Sequence, residues 1–400
     1  MHQKVERKEL ESLRRAARDD IGSARIPVMT ASRKETGLAG IEGNAPPPAR
    51  MRAKTPTVAG MRSLVSTLCS PACAGRRPAT PEGQAARASV VEALRGAGLD
   101  PFEQPVPGCG GANVLAKIEG DVERYIVVGA HFDHLGRAQE GVYWGADDNA
   151  AAVAVLVEVA ASSVRDRDGR GVILAAFDGE EPPFFGTGAM GSHAFLADPP
   201  VRRDAIDFMV CMDLVGHRIG REGMPDDVGL SLFALGAEKS HGTHGLVQGL
   251  ARTESGVIVR GANADVIPPL SDYEPFWRAK IPFLFLTAGR SRIYHTPQDT
   301  PEKLDWPKIE ATARWLKGFV RATRMRSDAV SFDEGGSNDA STLDAVADMV
   351  RALSAVSSEA ASALAYVTAL RAQCDSSGRL PSSRQAEVAT IVAMIESRLA

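Results

Sequence analysis

Apolar residues recur along this chain in two rhythms. Residues 124–130 (RYIVVGA), 171–177 (GVILAAF), 207–214 (DFMVCMDL) and 281–287 (IPFLFLT) are short, nearly continuous apolar runs. They read as strands buried on both faces rather than strands with one wet side. Between and after them lie helical patterns. Residues 149–164 are rich in alanine and valine, and 306–324 carry apolar positions at helical spacing. Alternation of this kind predicts a three-layer α/β/α domain over 58–326, built on a mostly parallel mixed central sheet. In such sheets ligands bind beyond the carboxyl ends of the strands.

The pattern changes at both ends. After a linker at 333–337 (DEGGS), apolar residues fall at helical spacing from Leu343 through Val350 to Leu370. They resume after a turn at 376–381 with Val388, Ile391, Ile395 and Leu399. This predicts a C-terminal helical hairpin over 338–400 that either packs on the core or pairs with a partner or a second copy of the chain, and whose deletion is expected to leave a folded core. Residues 1–57 have an excess of lysine and arginine and a proline run at 46–48. They predict a basic, flexible tail, with a charged helix over 5–18.

Composition adds mostly exclusions. At 44% hydrophobic and 24% charged residues, the chain is of ordinary globular type. A net charge of -4 argues against a general nucleic-acid binder. The most apolar helical run carries Glu158, and the first twenty residues are charged, with no apolar leader. No membrane span and a cytoplasmic location are therefore expected, or a secreted one if the true start lies upstream. The five cysteines, at 69, 73, 109, 211 and 374, are an odd and sparse set. They predict thiols rather than a disulfide scaffold.

The chemistry lies at the strand ends. The first strand delivers His131, with Asp133 two residues on. Positions i and i+2 of an extended segment point the same way, so Asp133 is placed to accept the second ring N–H of His131. Asp147 and Asp148 follow in a Gly-Ala turn before the alanine-rich helix. One of them is explained as a helix cap, the other is not. Glu180 and Glu181 end the next strand. Adjacent carboxylates repel, which a bound cation relieves. Asp213 sits within the apolar run VCMDLVG, where a carboxylate is costly unless paired or metal-bound. Tyr294 and His295 follow the last strand. Mixed nitrogen and oxygen donors suit zinc, and manganese and cobalt fit the same set. Five donors exceed one tetrahedral site and fit two ions sharing a carboxylate.

These motifs, together with GRRPATPEG at 75–83 and GANV at 111–114, resemble the co-catalytic di-zinc aminopeptidase family, which includes bacterial leucyl-type aminopeptidases and is related to glutamate carboxypeptidases and glutaminyl cyclases. The resemblance covers roughly 60–325. It implies two zinc ions per chain, one on His131 and Asp213, the other on Glu181 and His295, with Asp148 between them and a cis peptide to Asn149. It further implies Glu180 as general base, Asp133 as support for His131, and Tyr294 as an oxyanion donor. Peptides are the implied substrates, cleaved at the N-terminus. The same frame also serves a carboxypeptidase, a dipeptidase or a glutaminyl cyclase, and an inactive scaffold is the remaining reading. The chain departs from the family in a longer, proline-stiffened loop after Glu181 and in Tyr273, where histidine is frequent. Trp144 and Phe184 are candidate pocket residues or core. His217 reads as a surface histidine.

Overall fold

A computed structural model describes residues 58–399 apart from 165, 329, 355 and 356. The tail at 1–57, with its expected helix, lies outside the described residues. Helix α1 (Val58–Leu68) and helix α2 (Pro81–Gly96) precede a ladder of strands: β1 (Phe102–Val106), β2 (Gly111–Ile118) and β3 (Val122–His131). A small ribbon of β4 (Arg137–Ala138) and β5 (Gly141–Val142) follows, then α3 (Ala151–Ser163), β6 (Arg170–Phe177), α4 (Gly191–Ala197) and β7 (Ile206–Met212). The domain continues through β8 (Ser231–Leu235), α5 (Thr243–Leu250), β9 (Ile258–Ala262), α6 (Glu274–Arg278), β10 (Phe283–Thr287) and α7 (Trp306–Arg324).

Eight strands form one sheet in the order β1-β2-β6-β3-β7-β10-β8-β9. The central four, β6, β3, β7 and β10, run parallel. β1 and β2 are antiparallel additions at one edge, and β8 opposes β10 at the other. The mixed, mostly parallel sheet expected from the apolar runs is thus present. Strand β3 shows why its sequence is continuously apolar. Ile126, Val128 and Ala130 join the cluster under α1, α2, α3 and α7, while Tyr125 and Val127 join the cluster under α4 and α6. Alternate side chains serve opposite faces, and both faces are covered.

The C-terminal segment is helical, but in three helices rather than the two limbs of a hairpin: α8 (Asp339–Ser354), α9 (Ser358–Arg371) and α10 (Gln385–Leu399). The first limb is divided because Ser357 caps α9, its hydroxyl accepting the N–H of Ala360. Serine competes well for this role, and the pattern of apolar spacing does not register it. The three helices bury their own cluster around Leu343, Val350 and Leu370. They also meet the sheet edge through a polar joint. Asn263 donates to Asp339 and Ser337, Lys239 donates to the Gly336 carbonyl, and Arg260 pairs with Asp348. All five cysteines are thiols. Among the described residues, no helix is long and apolar enough to cross a membrane.

Candidate metal centre

The carboxyl ends of β3, β6 and β7 meet the turn before α3 in one buried cluster. His131 ends β3, Glu180 and Glu181 follow β6, Asp213 follows β7, and Asp148 lies in the turn. Two sets of donors converge there. One is His131, Asp148 and Asp213, and the other is His134, Asp148 and Glu181. In each set one donor atom per residue lies within 4.8 Å of the others. His131 Nε2 is 3.4 Å from Asp148 Oδ1 and 3.5 Å from Asp213 Oδ1. His295 reaches the second set from its own loop, with Nε2 at 3.2 Å from Asp148 Oδ2 and 3.1 Å from Glu181 Oε2. The structure therefore brings together all five residues expected as ligands, and Asp148 is common to both sets. The Asp148–Asn149 peptide is cis, as the resemblance implied.

The donor atoms themselves argue that a cation belongs here. His131 Nε2, His134 Nε2, Asp148 Oδ2, Asp213 Oδ1 and His295 Nε2 are buried, yet none has a hydrogen-bond partner. Buried polar atoms are ordinarily satisfied, so five orphans in one cluster fit a set of metal donors.

The surrounding scaffold fixes this geometry. Asp133 accepts the backbone N–H of Glu180 at 3.1 Å and of Glu181 at 3.2 Å, which sets the direction of both carboxylates. Its expected contact with His131 is different in detail: the ring Nδ1 lies 3.3 Å from the Asp133 main-chain carbonyl, with the carboxylate farther away at 3.7 Å. Asp299 accepts the N–H groups of Asp147 and Asp148 at 2.9 and 3.1 Å and so caps the turn from outside. Asp147 accepts the N–H of Gly216 at 2.6 Å and contacts His217 Nδ1 at 2.6 Å. His217 is thus a buried partner of the turn rather than a surface residue. Arg76 is fully buried. Its guanidinium donates to the carbonyls of Leu68, Phe132, Trp144, Gly145 and Asp148. One planar fork ties α1, the end of β3 and the turn together.

Burial and neighbouring charge push the titratable groups in different directions. Burial lifts Glu180 well above the usual carboxylate range, against the opposing pull of His131, and the charges of Asp213 and Glu181 add to it. For Glu181, burial and the charge of Asp148 are outweighed by His295 and His134, which hold it at about 2. Burial, with Asp147 beside it, raises Asp299 to about 8. Tyr294 stacks on His295 with ring centroids 3.9 Å apart, and burial raises its phenol far above its ordinary value.

Two residues of the cluster escaped the sequence reading. His134 follows Asp133, and its Nδ1 is 2.7 Å from Glu181 Oε1. The signal was there, since a second histidine three residues after the first stands at the same strand end. Asp272 is fully buried, both its oxygens lack hydrogen-bond partners, and burial raises it to about 7. It lies in a loop whose sequence has no distinguishing pattern, and only the fold brings its charge near Glu180.

Donors at successive strand ends, an unshared carboxylate beside them and a matching family model over residues 113–320 agree. The chain belongs to peptidase family M28. A relative, the uncharacterized protein YfbL of Escherichia coli (strain K12), is 27% identical over 55% of this chain and 74% of its own length. The glutaminyl-peptide cyclotransferase of Boiga irregularis is 26% identical over 52% of this chain, which spans 64% of that protein. Among solved structures, the LapA aminopeptidase of Legionella pneumophila superposes with a TM-score of 0.56 at 15% identity, over 68% of this chain and 73% of that one. A Zn-dependent exopeptidase from Parabacteroides distasonis gives a TM-score of 0.53 at 16% identity, over 69% of this chain and 100% of that one. At such identities the two structures share the M28 fold with this chain. The M28 match ends within α7, so α8, α9 and α10 lie outside it.

Proposed function

We propose that this M28 peptidase is a di-zinc aminopeptidase, removing N-terminal residues from peptides. The observation that carries the reading is the pair of donor sets sharing Asp148, with the Glu180 carboxylate beside them and claimed by neither. His131 and Asp213 would hold one zinc and Glu181 and His295 the other, with Asp148 common to both. Bound zinc supplies Lewis acidity and a water acidic enough to attack at neutral pH.

The chain's own residues handle the protons. Glu180 Oε2 lies 3.8 Å from His131 Nε2, beside the donors. It takes a proton from the attacking water and delivers it to the departing amine nitrogen. Asp133 keeps that carboxylate aimed by holding the backbone N–H groups on either side of it. The Tyr294 phenol, kept protonated by burial, donates to the developing oxyanion.

The test is mass spectrometry on zinc-loaded protein with short peptides, half with free and half with acetylated N-termini. Stepwise loss of N-terminal residues from the free set alone is expected. Shortening from the other end of both sets would replace the reading with a carboxypeptidase. The cyclotransferase relatives favour one second reading on the same site. Peptides beginning with glutamine separate it, because a cyclase removes ammonia and leaves the chain length unchanged.

A further inference from the structure

A cavity of about 140 Å³ opens beside the donor cluster, and Asp213 and Tyr294 form the end nearest the candidate metals. Its remaining lining is apolar apart from Thr287, Arg290, Thr342 and Glu396. The sheet contributes Phe233 and Phe285. The opposite wall comes from the C-terminal helices, with Ala345, Val346 and Met349 on α8 and Val392, Ile395 and Leu399 on α10. Of the lining residues, Asp213, Arg290 and Glu396 alone carry charge. Trp144 and Phe184, the residues the sequence offered for a pocket, are half-buried and do not line it.

We infer that the C-terminal helices α8 and α10 are a specificity element: they complete a pocket that accepts one large apolar side chain, that of the residue at the peptide N-terminus. The inference rests on the aminopeptidase reading for the identity of the ligand. Its support is independent of that reading in three respects. The cavity is continuous with a residue of the donor cluster, so a group lodged in it is held next to the reacting centre. Its volume is close to the ~150 Å³ of an apolar cavity that takes up benzene, which is the scale of a leucine, methionine or phenylalanine side chain. Its lining has few polar groups to satisfy a polar or charged side chain, which would therefore lose its hydration on entry. About a third of the lining, on α8 and α10, stands outside the part of the chain that matches the family, so side-chain preference is set here partly by residues beyond the matched domain.

The experiment uses the full zinc-loaded chain and two opposite changes in the wall. Ala345→Phe fills the pocket from α8, and Ile395→Ala enlarges it from α10. Both are measured by kcat/KM on peptides that begin with leucine, phenylalanine or alanine and are otherwise identical. Both are also measured by calorimetric binding of leucinamide and alaninamide, which needs no turnover. For the native chain, a preference for leucine over alanine of at least about tenfold is expected, in the range that apolar pockets achieve. Ala345→Phe should abolish that preference. Ile395→Ala should shift preference from leucine towards phenylalanine. If Ala345→Phe fails to fold, Ile395→Ala decides alone. If peptides are cleaved and neither the turnover ratios nor the binding ratio moves in a folded variant, the pocket inference is overturned and the peptidase reading stands. If no peptide is cleaved but leucinamide binds in preference to alaninamide and loses that preference in Ala345→Phe, the peptidase reading falls and the pocket stands. If leucinamide and alaninamide bind alike and no turnover preference exists, the inference is overturned.

Discussion

The end of the sheet and the helices appended to it bury opposite kinds of surface. At the carboxyl ends of β3, β6 and β7 the buried side chains include His131, Asp133, His134, Asp148, Glu180 and Glu181. α8, α9 and α10 enclose Leu343, Val350, Val367 and Leu370. Polar atoms can be left without hydrogen-bond partners in the first region only because the backbone around them is fixed by Arg76, Asp133, Asp147 and Asp299. Each of these makes several directed bonds, and a small misplacement would spoil the cluster. The second region relies on non-directional apolar contact, which tolerates substitution if volume is kept. A chemistry built on the first can therefore acquire new side-chain preferences through changes in the second.

Breaking the first region should have the largest effect. Glu180→Gln is expected to lower kcat by about 10²–10⁴ while bound metal, measured by plasma emission, stays unchanged. Ordinary turnover in that variant would remove Glu180 from its role. Asp148→Asn, which weakens the donor common to both sets, should strip most of the metal from dialysed protein. Retention of full stoichiometry would show that Asp148 is not shared. Arg76→Lys keeps the charge but loses the fork. A cost of about 2–4 kcal/mol is expected from chemical denaturation, because several carbonyls lose their donor at once. A change below 1 kcal/mol would mean the turn holds itself.

The polar joint between the regions sharpens the comparison. Asp339 accepts from Asn263 and from the N–H of Leu380. Asp339→Ala should cost about 1–3 kcal/mol. Hydrogen exchange should quicken in α8 and α10 before it does in β3 and β7. Uniform quickening throughout would show the two regions to be one cooperative unit.

The smallest effect concerns pH. Glu238, at the same joint, accepts the N–H of Ala264, and burial raises its carboxyl to about 7. The native state then binds a proton that the unfolded chain releases near its ordinary value of 4.5. Stability contributed by this group is present below pH 4.5 and is lost as pH rises to about 7. Glu238→Gln keeps the acceptor and should flatten that slope in melting temperatures measured across this range. An unchanged slope would assign it to other groups.

What the sequence revealed follows from how local each signal is. The four central strands and α7 were legible because burial on both faces leaves an unbroken apolar run. β1 and β9 were not. β1 is short, carries Pro105 and exposes most of its residues, and β9 places Arg260 within its five positions. The C-terminal segment was recognised as helical, but a serine cap divided it where no glycine or proline marked a break. At the centre, the donors expected at strand ends are together, because a strand end fixes where its next residues point. The partners of those donors were the harder part. His217 and Asp299 earn their places only through contacts with Asp147 and Asp148, distant in sequence and invisible to local pattern. At the linker 333–337, Lys239 donates to the Gly336 carbonyl, a contact that no local pattern announces.

Arg76 also has a consequence in time. Its acceptors on Phe132 and Asp148 lie 56 and 72 residues further along the chain. Bringing such distant segments together is slower than forming a helix or a turn, because the entropy of closing the loop must be overcome before any contact offsets it. The donor turn gains its anchor only once α1, β3 and the start of α3 have assembled. A chain still emerging during synthesis would carry every ligand residue of β3 and yet lack the centre, so the capacity to hold metal should appear late, as one of the last properties the folding protein acquires.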